Sequence, residues 1–351
     1  MRPGSVLHLQ KVAGIAGSET HLLSLLPALR QRGWDIRMLM LHEREPGAAD
    51  FAAELAGRGV PIDALRLRGD VDPIAFVRLA TYLLRHRPAL LHTHLVHGDV
   101  YGQLAGLVAG VPARLSTKHG FNEFREGRGF ALADRLVASL ADVHIAVSRG
   151  LARYLAETEG FSEDGFQIVH YGIHAGDKPA VYRGPPRLLC IGRLIPIKGH
   201  LVLLRAFAAA LERVPELELW IAGSVRFLGH VAPIQQAIED AAIVVVPSMG
   251  EGFGMVALES MERARPVIAS AVGGLVDIVE DGVSGLLVPP GNVEALRDAI
   301  VELATHRKRA ARMGAAGRRH VVDWFADERT VDRTELLYLS LLDGRVDATQ
   351  M

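Results

Sequence analysis

The sequence predicts an α/β chain of two domains, each a parallel sheet covered by helices. Three observations predict it. The 351 residues exceed one ordinary domain. Short, β-branched apolar runs such as residues 243–246 suit strands buried on both faces, and they alternate with segments of helical periodicity. A polar, proline-containing stretch over 174–186 separates two such series. Apolar residues make up 49% of the chain, enough for two cores, and the formal charge of −1 provides no global field for nucleic acid. Cys190 is the only cysteine, so no internal disulfide can form. The start of the chain lacks a signal-peptide pattern, and no charge-poor apolar run is long enough to span a bilayer. The expectation is a cytoplasmic protein, soluble or peripheral at the inner face of a membrane.

In order, residues 6–9 read as the first strand, and 14–19, with Gly14 and Gly17, as a turn before a helix over 19–32. Leu22, Leu25, Leu26 and Leu29 recur there at helical spacing, and Pro27 predicts a kink. Residues 36–41 form the next strand, and 51–58 and 73–86 read as helices. Asp70 and Asp72 imitate an Asp-x-Asp metal motif, but Pro73 follows at once, which makes them a turn and a helix entry. In the strand over 90–94, His92 and His94 share a face. With His97 they sketch a zinc set, but no fourth ligand is evident, and a polar strand end is the plainer reading. The strand over 114–118 ends at His119 and Gly120. Phe121, Phe124 and Phe130 then lie among Arg125 and Arg128, a mix suited to an acceptor or a membrane surface, with a solvated loop as the alternative. Residues 143–148 are a strand, Ser148 suits a cap for a helix from Arg149, and 168–173 read as the last strand and turn of this half.

In the second half, Cys190 sits in the strand over 188–191 as a small core residue. Gly192, Arg193, Lys198 and Gly199 mark the turn that follows; it is not a P-loop, because Gly199 stands where Ser or Thr is needed. After the strand over 217–221, only Ser224 separates Gly223 from a strand-like run over 225–229. Parallel neighbours need a crossover of about a dozen residues or more, so this join predicts a missing segment or an altered, weak local fold. The strand over 243–246 leads into a turn with Glu251, Gly252, Phe253 and Gly254, and a helix from about Met255 that carries Val256 and Glu259. A helix start offers free N–H groups and a positive dipole end, which suits phosphate. The two carboxylates can accept hydrogen bonds from vicinal hydroxyls of a sugar or a ribose. Residues 283–289 form a further strand, and 293–304 and 328–342 are helices.

The run from Val244 through Gly273 and Gly274, with Glu251 and Glu259 framing Gly-Phe-Gly, resembles the donor site of retaining glycosyltransferases with the GT-B fold, and is most similar to family 4. The turn through Arg193 and Lys198 matches the Gly-Arg-Leu…Lys-Gly signature of that family. The resemblance implies two Rossmann-like domains facing across a cleft: residues 1–173 on the acceptor side, a linker over 174–187, a nucleotide-sugar domain over 188–326, and a last helix over 327–351 crossing back to the first domain. It implies that Glu251 contacts the donor sugar, Glu259 the nucleotide ribose, and Arg193 and Lys198 the diphosphate. Gly252, Phe253, Gly254, Met255 and Val256 complete the donor wall. His119 aligns with a histidine near the donor sugar, and the loop of Gly17 closes over the donor phosphates. The implied reaction is metal-independent transfer of a hexosyl group, with retention, to a hydroxyl of a glycan, lipid or small molecule in envelope polysaccharide, glycolipid or glycoconjugate synthesis. No cofactor is expected, since the UDP- or GDP-linked sugar is a substrate. The alternatives are an epimerase or phosphorylase of the same fold, or a regulator that binds a nucleotide-sugar without turnover. The chain departs from the family pattern in the short join at Ser224 and in a shortened linker.

Overall fold

The computed structural model describes residues 4–121, 137, 139–177, 182–223 and 234–343. The run through Phe124, Arg125, Arg128 and Phe130 and the expected strand over 225–229 lie outside the described residues. The chain divides into two compact units, one of residues 1–147, 151–172 and 327–351, the other of 148–150 and 173–326.

The first unit holds β1 (Ser5–Lys11), α1 (Gly17–Gln31), β2 (Asp35–His42), α2 (Pro46–Gly57), β3 (Ile62–Arg66), α3 (Pro73–His86), β4 (Leu90–His94), α4 (Leu95–Val108), β5 (Ala113–Lys118), β6 (Val143–Ala146), α5 (Arg149–Glu159) and β7 (Phe166–Ile168). Its strands form one parallel sheet in the order β3-β2-β1-β4-β5-β6-β7. The order reverses between β1 and β4, and ligands of open α/β sheets bind beyond the carboxyl ends of the strands at such a switch point. Val6, Ile36, Leu90 and Leu115 build the core on one face, with Leu22, Leu25, Leu26 and Leu29 of α1. Leu7, Leu9, Leu39 and Leu91 build it on the other.

Some local readings change. β3 was not foreseen, because Ile62-Asp-Ala-Leu-Arg buries fully only Leu65 and reads as loop. The last strand is Phe166–Ile168, earlier and shorter than expected. Helix α1 continues through Pro27. Proline has no N–H for the carbonyl four residues back, and here the guanidinium of Arg58, at the end of α2, donates to the Leu23 carbonyl at 2.8 Å. Asp72 enters α3 as its N-cap, its carboxylate accepting from the amides of Ile74 and Ala75 at 3.0 Å each.

The second unit holds β8 (Arg187–Ile191), a 3-10 turn (Pro196–Lys198), α6 (His200–Leu211), β9 (Glu218–Ala222), α7 (Ile234–Glu239), β10 (Ile243–Val246), α8 (Met255–Glu262), β11 (Val267–Ser270), α9 (Leu275–Ile278), β12 (Gly285–Val288), α10 (Val293–Thr305) and α11 (Arg307–Trp324). Its described strands pair in parallel in the order β12-β11-β10-β8-β9, with the switch between β8 and β10. Leu188, Cys190, Val245 and Ile268 carry the core against Leu203, Ala206, Leu296 and Ile300 of α6 and α10.

The final helix, α12 (Asp327–Leu342), belongs to the first unit. Val331, Leu337 and Tyr338 enter the core that holds Leu22 and Trp34, and Glu335 accepts from Trp34 Nε1 at 2.8 Å. Among the described residues no helix is long and apolar enough to cross a membrane.

Candidate functional site

In the second unit, the loops that leave β8 and β10 meet at the switch point. The amide of Met249 donates to the Ile197 carbonyl at 2.7 Å and ties the two together. Their backbones pass so closely that only glycine fits at 199: its φ is +68°, and a Cβ there would lie 1.9 Å from the Pro247 carbonyl oxygen. This contact sets Lys198 opposite Glu251. Lys198 Nζ donates to Glu251 Oε2 at 2.7 Å, and Ser248 Oγ donates to the same oxygen at 3.0 Å. The Glu251 backbone carbonyl accepts from Gly274 N at 3.0 Å, so the loop after β11 fixes the same residue.

Helix α8 starts just beyond. Its N-cap is Gly254, with φ +114° and no side chain to cap the first turn. Bonds to the Gly254 carbonyl begin with the amides of Ala257 and Leu258. The amides of Met255 and Val256 have no partner among the described residues, which leaves the helix start open to an anion. Phe253 is buried beneath it. The guanidinium of Arg193 is exposed and has no ion pair among the described residues. The carboxylate of Glu259, part-way along α8, likewise has no hydrogen-bond or ion-pair partner among them. Burial without compensation pushes its pKa up to about 7. The side chains expected in this half at the donor site lie on the loops that leave β8 and β10 and on α8. Lys198 and Glu251 are joined, while Arg193 and Glu259 are left unsatisfied.

Gly17 and His119 lie in the first unit. Gly17 begins α1. Glu19, not singled out in the sequence, anchors the preceding loop: its carboxylate accepts from Ala16 N at 3.1 Å, from Ser18 Oγ at 3.0 Å and from Gln10 Nε2. Burial raises its pKa. His119 has both ring nitrogens engaged, Nε2 with His94 Nδ1 at 2.9 Å and Nδ1 with the hydroxyl of Tyr171. The zinc reading changes its members. His97 faces Asp70 at 2.9 Å, and the third imidazole beside His92 and His94 is His8 of β1, which pairs with His92 in the sheet register. Ligand nitrogens of these three lie within 4.8 Å of one another, but each ring is held by hydrogen bonds to other side chains. Desolvation holds all of them, and His119, well below the usual imidazole range, so they are neutral.

A cavity of about 650 Å³ opens at the opposite, amino edge of the second sheet, beside Pro186, Ile243 and Pro266. It is remote from the chemistry above. Its Arg265 and Arg318 are already spent on backbone carbonyls and Glu262.

The profile for Glycosyltransferase Family 4 matches residues 15–176, and that for Glycosyl transferases group 1 matches residues 185–306. The chain belongs to glycosyltransferase family 4. Within that family it is similar to the D-inositol 3-phosphate glycosyltransferase of Nocardia farcinica, 33% identical over 231 residues, covering 55% of this chain and 49% of the relative. The chain thus spans about half the length of that relative. It is also similar to the alpha-maltose-1-phosphate synthase of Mycolicibacterium smegmatis, 26% identical over 92% of this chain and 95% of the relative. That alignment runs over 381 positions, more than the 351 residues present, so the relative carries residues without counterpart here. Among solved structures, Anabaena HepE in complex with UDP and glucose superposes with a TM-score of 0.78 at 17% identity, covering 96% of this chain and all of that one. The fold of this family 4 member is accordingly GT-B.

Proposed function

We propose that the protein transfers a sugar from a nucleotide-sugar to an acceptor hydroxyl with retention of anomeric configuration. The observation that carries this reading is the Lys198–Glu251 pair at the switch point, with Arg193, Glu259 and the open start of α8 all without side-chain partners among the described residues. In the reaction the bond from the anomeric carbon to the diphosphate oxygen breaks and a bond to the acceptor oxygen forms. The acceptor proton passes to the departing phosphate. Negative charge grows on the leaving group, and preorganised cations aimed at it lower the barrier. Arg193 forks onto two phosphate oxygens, Lys198 supplies a point charge, and the amides of Met255 and Val256 add donors. Glu259 accepts the ribose hydroxyls and Glu251 holds the sugar. A uridine donor is favoured by the UDP bound in HepE. The cations take the place of a metal, so turnover is expected to persist in EDTA.

Incubating the full chain with a nucleotide-sugar panel, with and without hydroxyl acceptors, and measuring diphosphate release and the product anomer tests the reading. Release that depends on an acceptor supports it. Donor isomerisation points to an epimerase, sugar 1-phosphate formation from phosphate and a glycan to a phosphorylase, and tight binding without turnover to a regulator. Activity lost in EDTA and restored by Mg²⁺ or Mn²⁺ overturns metal independence.

A further inference from the structure

Thr117, His92, Tyr338, His8, His94, His119 and Tyr171 form one continuous chain of hydrogen bonds inside the first unit. The links are Thr117 Oγ1 to His92 Nε2 at 2.6 Å, His92 Nδ1 to the Tyr338 hydroxyl at 2.7 Å, and that hydroxyl to His8 Nε2 at 3.1 Å. They continue from His8 Nδ1 to His94 Nε2 at 2.9 Å, from His94 Nδ1 to His119 Nε2 at 2.9 Å, and from His119 Nδ1 to Tyr171. Every member is buried.

A neutral imidazole donates from one nitrogen and accepts at the other, so the direction of any one link fixes the next. If Thr117 donates, every histidine in the chain carries its proton on Nδ1 and the last donor faces Tyr171. If Tyr171 donates, every one carries it on Nε2 and the last donor faces Thr117. A mixed state sets two N–H groups, or two lone pairs, against each other where rings meet directly, and at Tyr338 leaves the hydroxyl proton or one imidazole lone pair without a partner.

We infer that His8, His92, His94 and His119 share a single tautomer, set collectively along this chain, and that Tyr338 is the positioning residue through which α12 holds that choice at His119. Tyr338 is the link contributed by α12, and its removal severs Thr117 and His92 from the segment that ends at His119 and Tyr171. The chain runs along the β1–β4 switch point, and His21, in the first turns of α1, stacks on Tyr171 with ring centroids 4.4 Å apart. The tautomer at this end therefore bears on the carboxyl edge of the sheet, where His119 stands. The inference concerns the resting protein and does not depend on the reaction proposed above.

The test is long-range ¹H–¹⁵N correlation of the histidine rings in the full-length, ¹⁵N-labelled protein at neutral pH. The same tautomer is expected at all four, with states in which one ring differs from its neighbours disfavoured about tenfold or more by the nitrogen they orphan. Tyr338→Phe should mix the tautomers of His119, although the rings of His94 and His8 stand between them. A purely structural tyrosine would perturb only His8 and His92. Should Tyr338→Phe fail to fold, Thr117→Val cuts the chain at its far end without loss of volume, and should mix the tautomers at His92. Unlike tautomers among the four in the parent, an unchanged His119 in folded Tyr338→Phe, or stoichiometric metal on the purified protein would each overturn the inference.

Discussion

Each unit puts its chemistry at a sheet switch point, and the two switch points are built oppositely. Between β1 and β4 the groups are neutral, buried and bonded to one another. Beside them Lys118 and Asp99 form an ion pair at 2.7 Å that is closed to solvent, with Ser116 Oγ donating to the same carboxylate at 2.8 Å. Between β8 and β10 Lys198 and Glu251 form a part-buried ion pair, while exposed Arg193 and the Glu259 carboxyl lack partners among the described residues. A network satisfied from within has no free energy to gain from a ligand and serves to hold a shape. An unsatisfied carboxylate and an exposed guanidinium gain from a ligand that supplies hydroxyls and phosphate. The difference teaches that polarity at a sheet edge does not identify a binding site; what the polar groups are already bonded to does.

The comparison can be broken first in the closed network. Asp99→Ala removes the buried carboxylate that Lys118 Nζ and Ser116 Oγ share, and should cost about 3–5 kcal/mol of stability, read from urea denaturation midpoints. A midpoint like the parent's would mean that the pair is open to water. In the open network, Lys198→Ala should lower kcat by on the order of 10²–10³, with a smaller change in donor affinity, as expected for a charge needed most in the transition state. Parent-like turnover at saturating donor would remove Lys198 from the leaving-group role. Next in size, Glu259→Ala should weaken binding of the free nucleoside diphosphate about tenfold to a hundredfold. Glu251→Ala should leave that binding intact or tighten it, because it frees Lys198 for phosphate. Titration calorimetry reads both, and the opposite pattern would mean that the two roles are exchanged.

The smallest effect concerns pH. Glu259 titrates near 7 in the folded protein against 4.5 when unperturbed. The folded state therefore holds this proton more tightly, and the contribution to stability is full below about pH 4.5 and lost as pH rises through 7. Glu259→Gln should flatten the stability profile in that window. A parent and variant with parallel profiles would show that the carboxylate is hydrated. Ligand binding has the opposite sign: ribose hydroxyls prefer the ionised carboxylate, so diphosphate affinity should rise as pH approaches 7, with proton release that Glu259→Gln diminishes.

Much of the open site was legible in the sequence because its parts are contiguous. Lys198 sits beside Gly199, Glu251 beside Gly252 and Gly254, and the turn chemistry announces the geometry. Asp72 was legible as a cap for the same reason, with Pro73 next to it. The closed network was not. His8 stands in an apolar strand and acquires meaning only when β1 pairs with β4 and brings it opposite His92. Tyr338 stands in a helix whose leucines dominate its pattern, and its partners lie at the other end of the chain. Asp99 lies in α4, which the sequence reading did not single out, and it is buried against Thr93, Ser116 and Lys118. Strand order decides all three, and local periodicity does not contain it. Glu19 had a local signal, since it falls at the third position of α1, where a carboxylate reaches back to the amide of Ala16.

The bond from Arg58 to the Leu23 carbonyl constrains how the sequence can change. A lineage that loses Arg58 while Pro27 remains strands that carbonyl, because proline offers no amide to replace the lost donor. A lineage that first exchanges Pro27 for alanine regains an ordinary helical bond, and Arg58 is then free to drift. The same two substitutions are thus harmful in one order and harmless in the other. Once Arg58 has gone, a return to proline is closed. The sign of a mutation at one end of α2 is inherited from the state of a residue in the middle of α1.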